Sequence, residues 1–375
     1  MSLGRDNIPS RQDIKTELLN EFHDYDDAVT CVACWYYLLT QTSDYSQVTR
    51  HFEWFPSIDV GDRRKTPDFT ALLQSGGIVA EIKAGIPQDE SALTEKLEQL
   101  ASYDRLGHLP RNAKGTLEQV SYIDLVVLLH RRNAHDARRV LSALSEPGRE
   151  FRLSKPPIFM TYAFETDRGQ TKMAIDRLDI PGNGSFTPIR HESCAQDLYR
   201  HFCEEGRRLA WAPKQFYQAK TQFMRVMNDP PKRLYSAYVL WEELLGEAVA
   251  KGVWEAVSPR QKVIELVVHP HEISQRLTDK ILANHIFTID CVRDALEFLR
   301  KAELASRLPE PQGAYRVRLQ SLLPRKSARI TPSETKDVAE QLAERYATHV
   351  FRPTSPTADA SVSDTAQLPL RLVDS

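Results

Sequence analysis

The chain has 375 residues, a length that suggests two domains rather than one, and 41% of them are hydrophobic, an ordinary content for a protein able to bury a full core. Its 49 Lys and Arg against 51 Asp and Glu leave a formal net charge of −2, so a globally basic nucleic-acid binder is excluded and any such surface must come from local clusters. Apolar runs such as Ile123–Leu129 are only strand length, Met1–Asp6 has no leader-like apolar core, and five cysteines follow no repeated spacing. The expectation is a cytoplasmic protein without a membrane segment.

Residues 11–40 read as one long helix or as a broken one, the break then falling around Asp24-Tyr25-Asp26. Ala28, Val29, Val32, Trp35, Tyr36, Leu38 and Leu39 mark it as buried, so Cys31-Val32-Ala33-Cys34 reads as small apolar core rather than a metal or redox pair. His51–Val60 reads as the first strand. The charged turn Gly61-Asp62-Arg63-Arg64-Lys65 follows, and its cations either touch phosphate or simply face water.

Pro67–Lys83 reads as two short apolar strands joined by Gln74-Ser75-Gly76-Gly77, a hairpin. Alternation sends Ile78, Ala80, Ile82 and Ala84 to one face and Val79, Glu81 and Lys83 to the other, polar face. Asp68 opens the first strand just after Pro67, and an antiparallel partner brings its carboxylate within reach of Glu81. Two carboxylates and one ammonium therefore converge. Divalent magnesium prefers oxygen ligands and is usually held by one or two carboxylates, which Asp68 and Glu81 supply.

Asp89–Arg105 has helical period through Leu93, Leu97, Leu100 and Ala101, with Gln99 and Tyr103 one turn apart on one side. Tyr122–Leu129 suits a central strand buried on both faces, followed by a helix at 135–145 and strands at Ile158–Phe164 and Lys172–Leu178. This order predicts an α/β sandwich.

Pro67-Asp68 and Glu81-Ile82-Lys83 resemble the motif of the PD-(D/E)XK nuclease superfamily. Gln99-Leu100-Ala101-Ser102-Tyr103 is similar to the QxxxY element of its RecB-like and exonuclease-like branches. The resemblance covers roughly residues 11–180 and implies a restriction-endonuclease-like sandwich with a mixed central sheet. It implies Mg²⁺ (or Mn²⁺) held by Asp68 and Glu81, Lys83 orienting or deprotonating the attacking water, and Gln99 with Tyr103 bracing the site. The first helix often supplies a further acidic ligand in this family. Asp27 in Asp27-Ala28-Val29-Thr30 is favoured, although Asp stands where Glu is more usual, and Glu21 and Glu17 are the alternatives.

Pro181-Gly182-Asn183-Gly184-Ser185 marks a turn, and helices follow at Leu198–Phe202 and Gln215–Met227, with a boundary near 205. Tyr235–Val249 is a packing helix, and His269-Pro270-His271 has the wrong company for a metal site. Next come a short helix at Glu272–Leu277 and a second one, capped by Thr288, running to Lys301. Leu304–Leu308 and Ala314–Leu319 around a Pro-Glu-Pro-Gln-Gly turn make a hairpin. Together these resemble a winged helix-turn-helix in a mainly helical region, with Thr288–Lys301 in the recognition position.

Arg316, Arg318, Arg325, Lys326 and Arg329 form a basic series, and Arg316, Arg318, Lys326 and Arg293 are the candidate nucleic-acid contacts. Asp290, Asp294 and Glu297 on the recognition-position helix oppose DNA unless turned away, which leaves protein interaction or dimerisation open for this module. Ser333–Tyr346 reads as a further helix, and the polar stretch from Pro353 as a disordered tail. The expected division is 1–205 nuclease-like, 206–330 helical with the winged helix, 331–352 a C-terminal helix and 353–375 tail.

The expected function is metal-dependent hydrolysis of phosphodiester bonds, in DNA first, with phage defence, restriction or repair as the settings the family implies. No Gly-Lys-Ser/Thr phosphate loop occurs, so an ATPase or helicase would be a separate partner. Homo-oligomerisation stays open. The alternatives are a non-catalytic DNA-binding or scaffold protein on a nuclease fold, and an RNA-directed nuclease.

Overall fold

A computed structural model of the chain describes residues 9–41, 46–60, 63–74, 76–83, 89–103, 106–136, 158–167, 170–177, 208–210, 226–227, 229–250, 263–280, 286–310, 313–320 and 332–351. The fold is α/β, with a mixed central sheet and packed helices.

Helix α1 (Arg11–Gln41) runs unbroken for 31 residues, about 46 Å at 1.5 Å per residue. Of the two forms left open for this segment the long one is found, with no break at Asp24-Tyr25-Asp26. None of these residues breaks a helix, and two of them gain partners that hold the turn, Asp24 with Arg132 and Tyr25 with the chain around residue 228. Toward its start α1 packs on α3 (Arg233–Ala250) and α6 (Pro332–Val350). The Phe22 ring lies 5.4 Å from both Tyr235 and Tyr238, and Lys15 Nζ lies 3.0 Å from Glu344. Toward its end α1 packs on the sheet, Trp35 against Phe69 at 5.9 Å and Tyr36 against Phe52 at 5.5 Å. Cys31 and Cys34 are free thiols buried in this core, in line with their reading as small apolar groups.

In chain order the strands are β1 (Thr49–Trp54), β2 (Ile58–Val60), β3 (Arg63–Lys65), β4 (Phe69–Leu73), β5 (Gly77–Lys83), β6 (His108–Pro110), β7 (Leu117–Gln119), β8 (Ile123–His130), β9 (Ile158–Asp167), β10 (Gln170–Arg177) and β11 (Arg208–Ala210). The central sheet has the order β1-β4-β5-β8-β9-β10-β11, parallel across β5-β8-β9 and antiparallel on both flanks. Helix α2 (Glu90–Tyr103) lies in the crossover between β5 and β8.

The single strand expected over His51–Val60 is two strands. Phe55 sits at φ 42°, a left-handed conformation that strand pairing does not tolerate, and Pro56 follows it. The expected charged turn is also shorter, because Arg63–Lys65 pairs antiparallel with Ile58–Val60. Gly77 belongs to the strand and not to the turn, since it pairs with Leu72 and with Ile123. The sequence reading held no β6–β7 ribbon.

The C-terminal residues add β12 (Val263–Val268), α4 (Pro270–Lys280), α5 (Ile289–Lys301), β13 (Ala305–Arg307) and β14 (Tyr315–Gln320), with the sheet order β12-β14-β13. Thr288 caps α5 as expected, its Oγ1 accepting from Cys291 N at 3.2 Å. The strand β12 was not anticipated. The turn at 181–185, the helix at 198–202, the helix expected over 215–227 as far as residue 225, the boundary at 205, Ala84, Arg325, Lys326, Arg329 and the tail from Pro353 lie outside the described residues, as does all but the start of the helix at 135–145; Val226 and Met227, the expected end of the 215–227 helix, are not helical.

A Cβ added at Gly77 would lie 1.9 Å from Leu109 Cδ1 and 3.0 Å from the Ala71 carbonyl oxygen. The position is glycine for space, because β4 and Leu109 close on it from two sides. Gly77→Ala is expected to destabilise the fold by about 1–3 kcal/mol, as overpacking does. An unchanged urea midpoint would show that Leu109 does not fill this gap.

Candidate active site

The hairpin forms with Phe69 opposite Ala80 and Leu72 opposite Gly77, and β5 pairs in parallel with β8, Glu81 opposite Val127. Glu81 and Lys83 therefore emerge at the end of β5 where β4 begins, beside Asp68. Ile78, Ala80 and Ile82 join the core under α1, while Val79 on the opposite face joins Ile58, Leu72, Tyr103 and Leu109 under α2. The alternation holds, but the second face is not a solvated one. With α2 across it, Glu81 is 2% exposed and Asp68 8%.

The kink at Phe55 turns its N–H onto the Asp68 carbonyl, at 3.1 Å. Asp68 N donates to Ala80 O at 3.1 Å, and Asp68 Oδ2 accepts from Ile82 N at 2.6 Å, taking a strand N–H that would otherwise lack a backbone acceptor. On Glu81 the two oxygens have different donors, Lys83 Nζ at 2.7 Å on Oε2 and Tyr103 OH at 2.5 Å on Oε1. Gln99, one turn back on α2, hydrogen-bonds the Tyr103 side chain. Asp68, Glu81, Lys83, Gln99 and Tyr103 are thus gathered at one place.

Burial, and then the nearby Glu81 carboxylate, push the Asp68 carboxyl well above its usual range, against the pull of Lys83 and the Ile82 N–H. Burial alone would lower Lys83, but Glu81 and Asp68 outweigh it and raise the ammonium. Burial and Glu81 likewise raise the Tyr103 phenol, which remains a donor.

Asp27 lies on the α1 side at the same end of the sheet, where its Oδ2 is 3.3 Å from His130 Nε2. Arg132 N donates to the other ring nitrogen, so the His130 proton sits on Nε2, facing Asp27. Glu21 and Glu17 lie further back along α1, by about one and a half and three turns respectively. Among the described residues no group of three or more His, Cys, Asp or Glu side chains is placed to hold a metal ion.

Asp229 and Tyr25 were not singled out from the sequence. Tyr25 OH donates to Asp229 O at 2.8 Å and accepts from Met227 N at 2.9 Å, which pins the chain entering α3 beside the site. The exposed Asp229 carboxylate adds to the field at both Asp68 and Lys83. Only its place before Pro230-Pro231, which stiffens the backbone, marked it in the sequence.

Of the candidate nucleic-acid contacts, Arg316 and Arg318 point out from the C-terminal sheet, opposite the buried Tyr315, Val317 and Leu319. Both face Glu265 of β12, at 3.7 and 3.1 Å. Arg293, on α5, pairs with Asp290 at 2.5 Å, so the two groups occupy different surfaces.

The donors at the main site suit a hard divalent cation. Two carboxylates are buried together, one of them against its own electrostatics, and all four donor atoms are oxygens.

Because the Asp68 value is raised in the folded state, the folded protein binds more protons than the unfolded one above about pH 4, and stability falls as pH rises toward the folded-state value. In EDTA, Asp68→Asn is expected to remove that slope and to melt higher than the wild type at neutral pH. The gain is about 1.4 kcal/mol for every pH unit by which the folded-state value is raised. A parallel pH–stability profile in both proteins would contradict it.

No family model matches this chain, and no curated protein or solved structure matches it either.

Proposed function

We propose that the chain is a metal-dependent nuclease that hydrolyses phosphodiester bonds, with DNA as its substrate. The observation that carries this is the buried pairing of Asp68 with Glu81 at the end of β5, with Lys83 Nζ 2.7 Å from Glu81. Helix, hairpin, crossover helix and central strand follow one another as in a restriction-endonuclease-like sandwich, which supports the same reading.

Asp68 and Glu81 would hold Mg²⁺ or Mn²⁺. When bound, such an ion supplies charge for a phosphoryl oxygen and lowers the pKa of a coordinated water. Lys83 remains an ammonium between its carboxylates and serves as a cation, orienting the water and offsetting charge that develops on the phosphoryl group. Tyr103, fixed by Gln99, holds one Glu81 oxygen and so sets the plane of the carboxylate. Ile82 N–H does the same for Asp68. A scaffold use of the same fold would need neither Lys83 nor Glu81 in its charged form.

Removing Glu81 to alanine would leave Tyr103 and Lys83 facing a buried gap, so Glu81→Gln is the variant that keeps the shape. Single-turnover assays on single- and double-stranded DNA and RNA with Mg²⁺ or Mn²⁺ are expected to show cleavage falling about 10²–10³-fold in Lys83→Ala and at least as far in Glu81→Gln, with substrate still bound. Wild-type cleavage by Lys83→Ala would end the catalytic reading.

For the C-terminal residues we propose a winged-helix module, supported by the order α3, β12, α4, α5, β13, β14 and by the capped helix in the recognition position. Its outward sheet face carries Arg316 and Arg318 with Glu265 between them. If that face contacts nucleic acid, Arg316→Ala and Arg318→Ala should each flatten the slope of log affinity against log salt by about one unit, and Glu265→Gln should strengthen binding. Unchanged slopes would make the face a protein-binding one.

A further inference from the structure

A second group of cations converges away from the carboxylate site. At the starts of α4 and α5, against β13 and β14, a cleft of about 430 Å³ is lined by His269, His271, Arg293, Arg307, Ile289 and Tyr315 among others, and among the described residues no carboxylate lines it. The basic side chains come from three directions. His269 and His271 flank Pro270 at the start of α4, Arg293 stands on α5, and Arg307 ends β13. The sequence offered no role for the two histidines, which lack the company of a metal site.

Arg307 is held in place from below. Its Nε donates to Glu297 Oε1 at 2.8 Å, Tyr315 OH donates to the same oxygen at 2.7 Å, and Arg300 Nε donates to Oε2 at 2.8 Å. Although burial opposes it, these hydrogen bonds bring the Glu297 carboxyl down to about 2, so it is a fixed anion. One carboxylate is shared by two guanidiniums, and a positive surplus remains. The remaining Arg307 nitrogens and the Arg293 fork are suited to bidentate contact with an oxyanion. Asp290 is the opposing charge at Arg293, and it is highly exposed, so that ion pair is weak.

The shape narrows the ligand class. A diester backbone crosses a surface and presents one charge per phosphate, whereas this half-open cleft gathers two guanidiniums and two imidazoles from three elements around one point. A monoester carries about −1.5 to −2 at neutral pH and three acceptor oxygens. Ile289 and the Tyr315 ring give the attached sugar or base an apolar wall. We propose that this cleft binds a terminal phosphate monoester, carried either by a free nucleotide or by a phosphorylated nucleic-acid end. This does not rest on the nuclease reading.

The test uses the full chain in EDTA. Deoxyadenosine monophosphate is compared with deoxyadenosine by calorimetry, and a 5′-phosphorylated oligonucleotide with its 5′-hydroxyl counterpart by fluorescence anisotropy. At least one phosphorylated probe is expected to bind about tenfold or more tightly than its unphosphorylated partner. A preference confined to the oligonucleotide identifies a strand end, and one confined to the mononucleotide identifies a small molecule. Arg293→Glu and His271→Glu, both at exposed positions, should each abolish the preference with the melting temperature unchanged. Asp290→Asn should do the opposite and tighten binding by freeing Arg293, a sign that loss of folding cannot mimic. Equal binding of phosphorylated and unphosphorylated probes in both arms overturns the proposal. A preference that survives Arg293→Glu, or that Asp290→Asn fails to strengthen, overturns it as well.

Discussion

Helix α1 has to bury two different stretches of one 31-residue rod. Leu18 and Phe22 need the aromatic surface of α3, and Trp35, Leu38 and Leu39 need the sheet. Because a helix of this length does not bend sharply without Pro, Gly or an inserted group, satisfying both ends fixes the C-terminal helices against the sheet. One continuous core results, running from β1 through α1 to α6. The residues between the two buried stretches then fall at the C-terminal ends of β5 and β8. There Tyr25 takes hold of Met227 and Asp229, and Asp27 meets His130. The acidic site thus borders the chain that leads into α3.

At that border the fold holds charge where it is costly. Burial takes both carboxylates out of water, and at Asp68 it favours the protonated form, with Glu81 adding to the push. Glu81 has an ammonium and a phenol on separate oxygens, while Asp68 has one strand N–H and a repelling neighbour. The burden is therefore unequal, and it falls on the residue at the strand start. A buried pair of this kind is poor evidence of stability, since apolar residues of similar volume commonly serve as well or better.

Much of this was readable in advance. Alternation in Gly77–Lys83 assigned every side chain to its correct face, and the one-turn spacing of Gln99 and Tyr103 put both beside Glu81. Period-2 patterning, however, says which face a residue takes and nothing about what lies across it. The cover supplied by α2 is why Glu81 is buried although its strand reads as half polar. Two other features escaped for local reasons. Phe55 adopts φ 42° because its N–H is drawn to Asp68 O, a tertiary demand on a residue whose type gives no hint of it. Asp229 reaches the site from beyond any motif, carried there by the tyrosine of a helix that begins the chain.

The basic series from Arg316 onward shows the same limit from the other side. Charges adjacent in sequence were read as one patch, but strand geometry sends Tyr315, Val317 and Leu319 inward and only Arg316 and Arg318 out. Once outside, those arginines meet Glu265, 53 residues earlier in the chain than Arg318, because β12 lies alongside β14. Arg293 stands instead about one turn into α5 and Arg307 at the end of β13, with the histidines at the start of α4. On the outer face Arg316 and Arg318 share the single carboxylate of Glu265, while basic side chains scattered over 269–307 are collected into one cleft. Where net charge is near zero, the positive potential available to an anion is decided by which carboxylates the fold brings to each surface.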